Sequence, residues 1–313
     1  MTATPSAPAP LAQAIRPTTL LHPEALSRRL GVNLTIATET FQRTGSFKFR
    51  AGYNLALNVP QRAIITASSG NFGQALACAC QLLGKQCTVV MPTTSAAVKI
   101  EAVRGYGARV ELVDTKKQAR AARVAELAAE DPAAYVASAY DDRWVIEGNA
   151  SLGAELMAAG ERWDAILVPV GGGGLISGIA TALRGAAHLP ELIGAEPALG
   201  NDAARSLRAG ELLANPAEPA TLADGARTLS VGKLNWEIIR REVRGIIEVS
   251  EDNIAAALRL YFSAANLKVE PTGALSLGAV LTAPERFAGR SVCCVVSGGN
   301  VDPANYAGLL ASA

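Results

Sequence analysis

The stretch Ala165–Leu183 constrains this chain more than any other. It carries no charge, and in its middle Val170 is followed by four glycines, Gly171, Gly172, Gly173 and Gly174. The run approaches the roughly 20 residues of a membrane-spanning helix. Pro169 and the glycines would break such a helix where lipid cannot satisfy the backbone. The sequence therefore predicts a buried strand over Ala165–Val170, a glycine loop, and a helix over Leu175–Ala186. A plain turn needs one or two glycines. Four in succession let backbone N–H groups converge on an anion with no Cβ in the way, and the helix N-terminus behind them adds partial positive charge. The loop is a candidate phosphate cradle. It lacks the Lys-Ser/Thr ending of a nucleotide-binding P-loop. Against the dinucleotide pattern G-x-G-x-x-G, Gly172 and Gly174 match but Ser177 replaces the third glycine. Glu196 falls near the acidic ribose ligand expected about 20 residues on. An NAD-dependent oxidoreductase stays open at this point.

The rest of the chain alternates short apolar runs with longer amphipathic ones. Strands are predicted over Leu34–Thr38, Ala63–Ala67, Cys87–Met91, Arg109–Val113, Glu191–Ala195, Gly245–Val249 and Ser291–Val296. Helices are predicted over Gln74–Leu83, Ala96–Tyr106 and Lys117–Ala129. Strands rich in β-branched residues between helical segments give an α/β fold, a parallel sheet covered by helices on both faces. A chain of 313 residues suggests two domains, but no low-complexity linker separates them.

Composition narrows the function. Lys and Arg number 29 against 28 Asp and Glu, a net charge of +1. No basic excess exists to neutralise a phosphate backbone, so nucleic acid is not an expected partner. Only two histidines occur, His22 and His188, which argues against His-based triads and multi-His zinc sites. Proton transfer falls to Lys, Ser, Asp, Glu or a cofactor. The five cysteines form no CxxC pair and read as small buried hydrophobes. The first residues, MTATPSAPAPLAQA, read as an unstructured arm without the charged start and apolar core of a signal peptide. Together these features predict a cytoplasmic protein with no membrane partner.

Two further segments point to chemistry. Ser68-Ser69-Gly70-Asn71-Phe72-Gly73 stands between a strand and a helix, and its hydroxyls, amide and N–H groups suit a carboxylate. Ser and Asn are equally the residues that cap a helix. In Thr44-Gly45-Ser46-Phe47-Lys48-Phe49, a lysine lies between two phenylalanines. Apolar surroundings lower an amine's pKa and free it as base or nucleophile; a lysine stem passing core aromatics is the ordinary alternative.

In combination, Thr44–Lys48, Ser68–Gly73, Gly171–Gly174 and Ser297-Gly298-Gly299-Asn300 resemble, in order and spacing, the pyridoxal-phosphate enzymes of the serine/threonine dehydratase and serine racemase family. Leu222–Gly225 and Val269–Gly273 also look like segments of that family. The resemblance runs from about Pro17 to Asp302. It implies fold type II, like the tryptophan synthase β subunit, with two twisted, mostly parallel sheets flanked by helices. Residues 1–53 and 145–313 would form a large cofactor domain, and 54–144 a small domain closing over the substrate. It implies pyridoxal 5'-phosphate as cofactor, with Lys48 as its Schiff-base lysine and Gly171–Gly174 on its phosphate. Asn71 would meet the ring hydroxyl and Ser297 the pyridine nitrogen. Ser69 would serve as acid/base on the face opposite the lysine, and Ser68, Ser69, Gly70 and Phe72 would meet the substrate. The implied reaction is dehydration of a β-hydroxy-α-amino acid to a 2-keto acid and ammonia. A homodimer is implied too.

The chain departs from that pattern at Phe72, where the family loop carries histidine, and at Ile146–Ser151, where it has A-G-Q-G-T. A phenyl ring offers apolar area and no proton carrier. The expected substrate is therefore an aryl-serine such as phenylserine. Serine/threonine dehydration and amino-acid racemisation on the same fold remain as alternatives. Glu196, the Gly200 carbonyl and Asp202 resemble the divalent-cation site of some members, suited to Mg²⁺ or Ca²⁺; two solvated loop acids are the plainer possibility.

Overall fold

The computed structural model describes residues 9–311 apart from positions 96 and 187. Among the described residues, ten strands form two sheets. The larger takes β1 (Thr19–Leu21), β2 (Asn33–Thr38), β7 (Ala165–Pro169), β8 (Glu191–Pro197), β9 (Gly245–Val249) and β10 (Ser291–Val296), in the order β1-β2-β10-β7-β8-β9. The smaller takes β3 (Ala63–Ala67), β4 (Gln86–Pro92), β5 (Arg109–Val113) and β6 (Tyr135–Ala137), in the order β5-β4-β3-β6. Every pairing is parallel except that of β1 with β2 at the edge. The expected α/β class with two mostly parallel sheets is what the chain forms.

Burial explains the sequence patterns. All five residues of β7 are buried, as are the last five of β2 and of β10. Strands covered by helices on both faces have no polar side to alternate with. Cys293 and Cys294 lie in β10, Cys87 in β4, and Cys78 and Cys80 in the helix Asn71–Leu82; all five are free and buried, as expected of small hydrophobes. Leu167, Ala195 and Val296 pack on Leu275, Leu277 and Val280 of the helix Pro271–Thr282, while Ile166, Val168 and Val295 face Ile176 and Ile179. A separate core holds Leu55, Leu76, Val89 and Met91 in the smaller lobe.

Several local expectations need correction. Residues 1–8 of the expected arm lie outside the described residues, but Ala9–Ala14 is a helix with Leu11 fully buried against Phe49, Ala75 and Cys78. Its Ala-rich composition suits a helix, and tertiary contact rather than local pattern holds it in place. The helix expected from Gln74 begins at Asn71, taking the end of the Ser-rich loop into its first turn. Ala96 lies outside the described residues, and that helix is Ala97–Gly105; the next is Arg120–Glu130. The strands β1 and β6, of three residues each, were too short to show as periodic patterns.

The junction of the lobes is tightly packed. The helix Lys48–Asn58 lies on Asn71–Leu82 and on Arg143–Ala158. A Cβ on Gly148 would stand 2.5 Å from the Arg50 carbonyl oxygen, and one on Gly52 would stand 3.0 Å from the Leu76 nitrogen. Arg50 is fully buried and donates to Glu39 at 2.7 and 3.0 Å, to Glu155 at 2.8 Å twice, to Ser151 and to Thr18. That network anchors the first turn of the helix that Lys48 opens.

Candidate active site

Lys48 begins a helix directly after a short bridge between Ser46 and Gly298. The bridge sets the segment Thr44–Lys48 beside Ser297–Asn300, because the Phe47 N–H donates to the Ser297 carbonyl at 2.9 Å. The Lys48 ammonium donates to the Ala139 carbonyl at 2.7 Å, and its Nζ lies 5.0 Å from the centroid of Phe47 and 5.7 Å from that of Phe72. The sequence neighbour Phe49 does not flank it. Consecutive residues point about 100° apart on a helix, and Phe49 turns into the cluster around Leu11 and Ala75. The second ring comes from the other lobe instead. Burial lowers the lysine to about 8, opposed by the charge of Glu270. The aromatic faces favour the cation only weakly, so desolvation sets the direction.

Asn71 opens the next helix. Its Nδ2 donates to both oxygens of Glu270, at 2.8 and 3.1 Å, and its Oδ1 accepts from Asn300 Nδ2 at 2.9 Å. Asn300 also donates to the Thr44 carbonyl at 2.7 Å. In the preceding loop, Ser68 Oγ accepts from the N–H groups of Gly73 at 3.0 Å and Gly70 at 3.3 Å. Ser68 thus holds the loop, as a capping residue does, while Ser69 and Gly70 are only partly buried. Phe72 is 2% exposed; the edge of its environment is Lys48, and the rest is the core of the smaller lobe.

The four glycines stand where the sequence places them, after β7. Gly173 takes φ of +87°, a left-handed conformation that L side chains rarely adopt. A Cβ on Gly172 would come within 2.2 Å of the Tyr140 ring, and one on Gly171 within 2.9 Å of Ala226. Tyr140 follows Ala139, so the residue lying on the glycine loop is chained to the one that holds the lysine. Asn235 Nδ2 ties Tyr140 O and Gly172 O together, at 2.9 and 2.8 Å. The helix Gly174–Leu183 aims its N-terminus at this loop, where its first N–H groups have no partner within the helix.

These residues fit pyridoxal phosphate. The Ser297 hydroxyl is buried without a hydrogen-bond partner, and so are those of Thr44 and Ser46. A buried polar atom left unpaired is unfavourable by about 1–3 kcal/mol, and a ring nitrogen beside Ser297 would relieve it. A softened amine, a glycine cradle on a helix N-terminus and the Asn71 amide complete the donor set.

Glu196 and Asp202 are brought together, and Asp202 lies near enough to the glycine loop for its charge to act on Tyr140. Glu196 accepts from the N–H groups of Ala203 and Ala204 at 2.9 Å each, and Asp202 from Asn215 and Val231 at 2.8 Å each. Both are about 1% exposed, so they are not solvated loop acids. Burial pushes Glu196 up to about 8, with Asp202 adding to it, and Asp202 up to about 6. Two adjoining buried carboxylates suit a cation, and each oxygen has lone pairs left over. Among the described residues, however, no group of three His, Cys, Asp or Glu side chains converges as a metal site. The position of Glu196 weakens the nicotinamide alternative, since its carboxylate is committed to the start of the helix Asp202–Ala209.

Sequence reasoning missed several members of the cluster. Glu270 and Asn300 lay in segments recognised as motifs but carried no assigned role. Ala139 acts through its carbonyl, which no side-chain pattern reveals. The segments Leu222–Gly225 and Val269–Gly273 do meet: the Gly225 N–H donates to Thr272 Oγ1 at 2.9 Å.

Two mostly parallel sheets with a lysine, a glycine cradle and an orphaned serine between them define a class of cofactor enzyme. The family of pyridoxal-phosphate dependent enzymes matches residues 11–298, and this chain belongs to it. It is 37% identical over 289 residues to an L-threo-3-hydroxyaspartate ammonia-lyase from Pseudomonas sp., covering 91% of this chain and 90% of that one. It is 34% identical over 297 residues to a serine racemase from Schizosaccharomyces pombe, covering 94% and 91%. Among solved structures, the processed form of threonine deaminase isoform 2 from Solanum lycopersicum superposes with a TM-score of 0.91 at 32% identity, over 97% of this chain and 90% of that one. No helix among the described residues is long and apolar enough to cross a membrane.

Proposed function

We propose that this chain is an ammonia-lyase that eliminates water from a β-hydroxy-α-amino acid and releases a 2-keto acid and ammonia, with an aryl-serine such as phenylserine as its substrate. The observation that carries the reading is the Lys48 amine, desolvated between Phe47 and Phe72 and joined through Ala139–Tyr140 to the glycine loop. When bound, pyridoxal phosphate supplies an electron sink that acidifies the Cα hydrogen of an attached amino acid. Gly171, Gly172, Gly173 and Gly174 hold its phosphate on the helix N-terminus. Asn71 would hydrogen-bond its ring hydroxyl, and Ser297 would meet its ring nitrogen. A hydroxyl there, unlike a carboxylate, would not keep that nitrogen charged, which favours loss of a β-substituent. Ser68, Ser69 and Gly70 receive the substrate carboxylate, with Ser69 facing the substrate opposite Lys48. Lys48 takes the Cα proton, and its lowered pKa leaves a share of free amine near neutral pH. Residues 54–144 close as a domain over 1–53 and 145–313 and exclude water.

Two observations favour an aryl side chain over an acidic one. Phe72 stands beside the reacting amine where an imidazole is the family pattern. The cations Lys99 and Arg120, which reach from the smaller lobe toward the larger, are both tied to carboxylates, Asp224 at 2.9 Å and Glu218 at 3.9 Å. The relatives named for hydroxyaspartate support a second reading, in which Lys99 or Arg120 releases its partner for a β-carboxylate. Keto-acid release from phenylserine, threo-3-hydroxyaspartate, threonine and serine decides the matter. Phenylserine should lead in kcat/KM by at least about tenfold; a lead for hydroxyaspartate or threonine would leave the lyase and overturn the aryl substrate. Enantiomer formation without keto acid would favour a racemase. An accessory Mg²⁺ or Ca²⁺ at Glu196, Gly200 and Asp202, a homodimeric assembly and a cytoplasmic location belong to the same reading, the last supported by five unpaired cysteines.

A further inference from the structure

The helix Lys233–Glu242 sets its first turn against the glycine loop: a Cβ on Gly173 would stand 2.9 Å from Ile239 Cδ1 and 3.0 Å from Asn235 Cβ. Trp236 and Ile239 share a core with Ile176 and Ile179, which fixes this helix beside Gly174–Leu183. Helical side chains lean toward the N-terminus, so Asn235 reaches back past the start of its own helix. It is fully buried, and its Nδ2 donates to the Tyr140 carbonyl at 2.9 Å and to the Gly172 carbonyl at 2.8 Å. Its Oδ1 is buried without a partner. An apolar residue of similar size would avoid that orphaned oxygen, so what the fold gains here comes from the nitrogen. The same helix is held from the Tyr140 segment as well. Asp141 accepts from the N–H groups of Lys233 at 3.1 Å and Leu234 at 2.9 Å, as a cap does. The Gly232 N–H, just before the helix, donates to the Gly172 carbonyl at 3.0 Å.

We propose that Asn235 is a positioning residue that fixes the span between the two ends of the cofactor, with Asp141 seating its helix. The inference rests on the pyridoxal-phosphate reading of the glycine loop. One amide nitrogen binds a carbonyl of the phosphate cradle and the carbonyl of Tyr140, whose neighbour Ala139 holds Lys48. The Asn235 amide and the Gly232 N–H together occupy both lone pairs of the Gly172 carbonyl. In a planar trans peptide the C=O and the following N–H point in opposite directions. Turning the Gly172 carbonyl onto Asn235 therefore turns the Gly173 N–H the other way and leaves it to the phosphate. Removing the amide leaves the Tyr140 and Gly172 oxygens to repel each other, and the loop shifts against the segment that holds the lysine. The lysine end is less affected, because the Arg50 network anchors the helix that Lys48 opens independently of Asn235.

Pyridoxal 5'-phosphate and phosphate-free pyridoxal, titrated into the full chain after cofactor removal and followed by visible absorption, separate the two ends. N235A should bind pyridoxal phosphate at least about tenfold more weakly than the wild type, a loss of about 1.4 kcal/mol, and pyridoxal within about twofold. A general loosening of the fold would weaken both ligands alike. Equal losses for the two, or no loss for either, overturn the positioning role. D141A removes the seat of the helix at a partly exposed position and leaves Asn235 in place. It should show the same selective loss, by at least about threefold, as the loss of a helix cap would give. Should N235A not fold, D141A decides: a loss confined to pyridoxal phosphate supports the inference, and unchanged or equal losses overturn it. A wild type that binds neither ligand overturns the cofactor reading and this inference with it. A wild type that binds both, with the variants matching it, overturns this inference alone.

Discussion

At the scale of single residues, the site is a lysine whose surroundings were only half visible in its neighbours. Phe47 flanks the amine as expected, but Phe49 turns away and Phe72 arrives from another helix. On the proposed function, replacing Lys48 by Ala removes the amine that would hold the cofactor and move the proton. The variant should lose the visible absorption of the bound cofactor and at least about 10³-fold in turnover, read by spectrophotometry and keto-acid assay. Full turnover in it would overturn the assignment. Phe72→His puts a polar ring beside Lys48. It should shift kcat/KM from phenylserine toward serine and threonine by roughly 5- to 150-fold, the equivalent of about 1–3 kcal/mol of lost apolar and aromatic contact. Because Phe72 is also core, its melting temperature must be recorded alongside. A stable variant with unchanged preference would mean that the ring serves packing alone.

At the scale of elements, the strand–glycine–helix unit was the most legible part of the chain. Its signal is local: an apolar run, four residues without Cβ and an apolar helix. The structure adds the reason for each glycine, since Tyr140, Ala226 and Asn235 occupy the spaces that side chains would need. Gly172→Ala forces its Cβ into the Tyr140 ring. It should cost about 1–3 kcal/mol of stability through overpacking and weaken phosphate binding as the loop shifts. Thermal unfolding and cofactor titration would register both, and wild-type values for both would show that the ring moves aside freely. Helix starts were less legible. Asn71 caps nothing with its own side chain and is instead the first helical residue, while Ser68 holds the loop from three positions upstream. Sequence shows that a turn contains Ser and Asn, but the division of labour between them depends on where the helix axis points.

At the scale of the whole molecule, the ion pairs Lys99–Asp224 and Arg120–Glu218 join the lobes among the described residues. Both are partly exposed, so each contributes at most about 1 kcal/mol. Lys99→Ala should raise KM by up to roughly fivefold with little change in kcat, and high salt should do the same to the wild type, since exposed charges are screened. Steady-state assays at two ionic strengths check this; a Lys99→Ala variant as salt-sensitive as the wild type would speak against a latch. The buried carboxyl of Glu270 gives the cofactor-free chain a pH signature. Its pKa rises on folding from 4.5 to about 8, mainly through burial. Between those values the folded chain holds a proton that the unfolded chain has released. Stability from this group is therefore complete below about 4.5 and is lost as pH climbs through about 8. Unfolding followed across that window should show a smaller decline in E270Q than in the wild type.

Order along the chain was enough for the class of fold and for the segments that make up the candidate site, because both rest on local signals. Doubly covered strands must be apolar throughout, a phosphate cradle must lack side chains, and the Lys48, Asn71 and Ser297 motifs are each contained in a few consecutive residues. Tertiary packing settled what no single segment contains. The aromatic partner of Lys48 comes from Phe72, its hydrogen bond from the Ala139 carbonyl, and the clamp on Asn71 from Glu270 and Asn300, about two hundred residues or more along the chain. Desolvation and proximity are properties of space rather than of sequence order. The lowered pKa of Lys48 and the raised pKa of Glu270 therefore exist only once the lobes and their connecting segments have packed together.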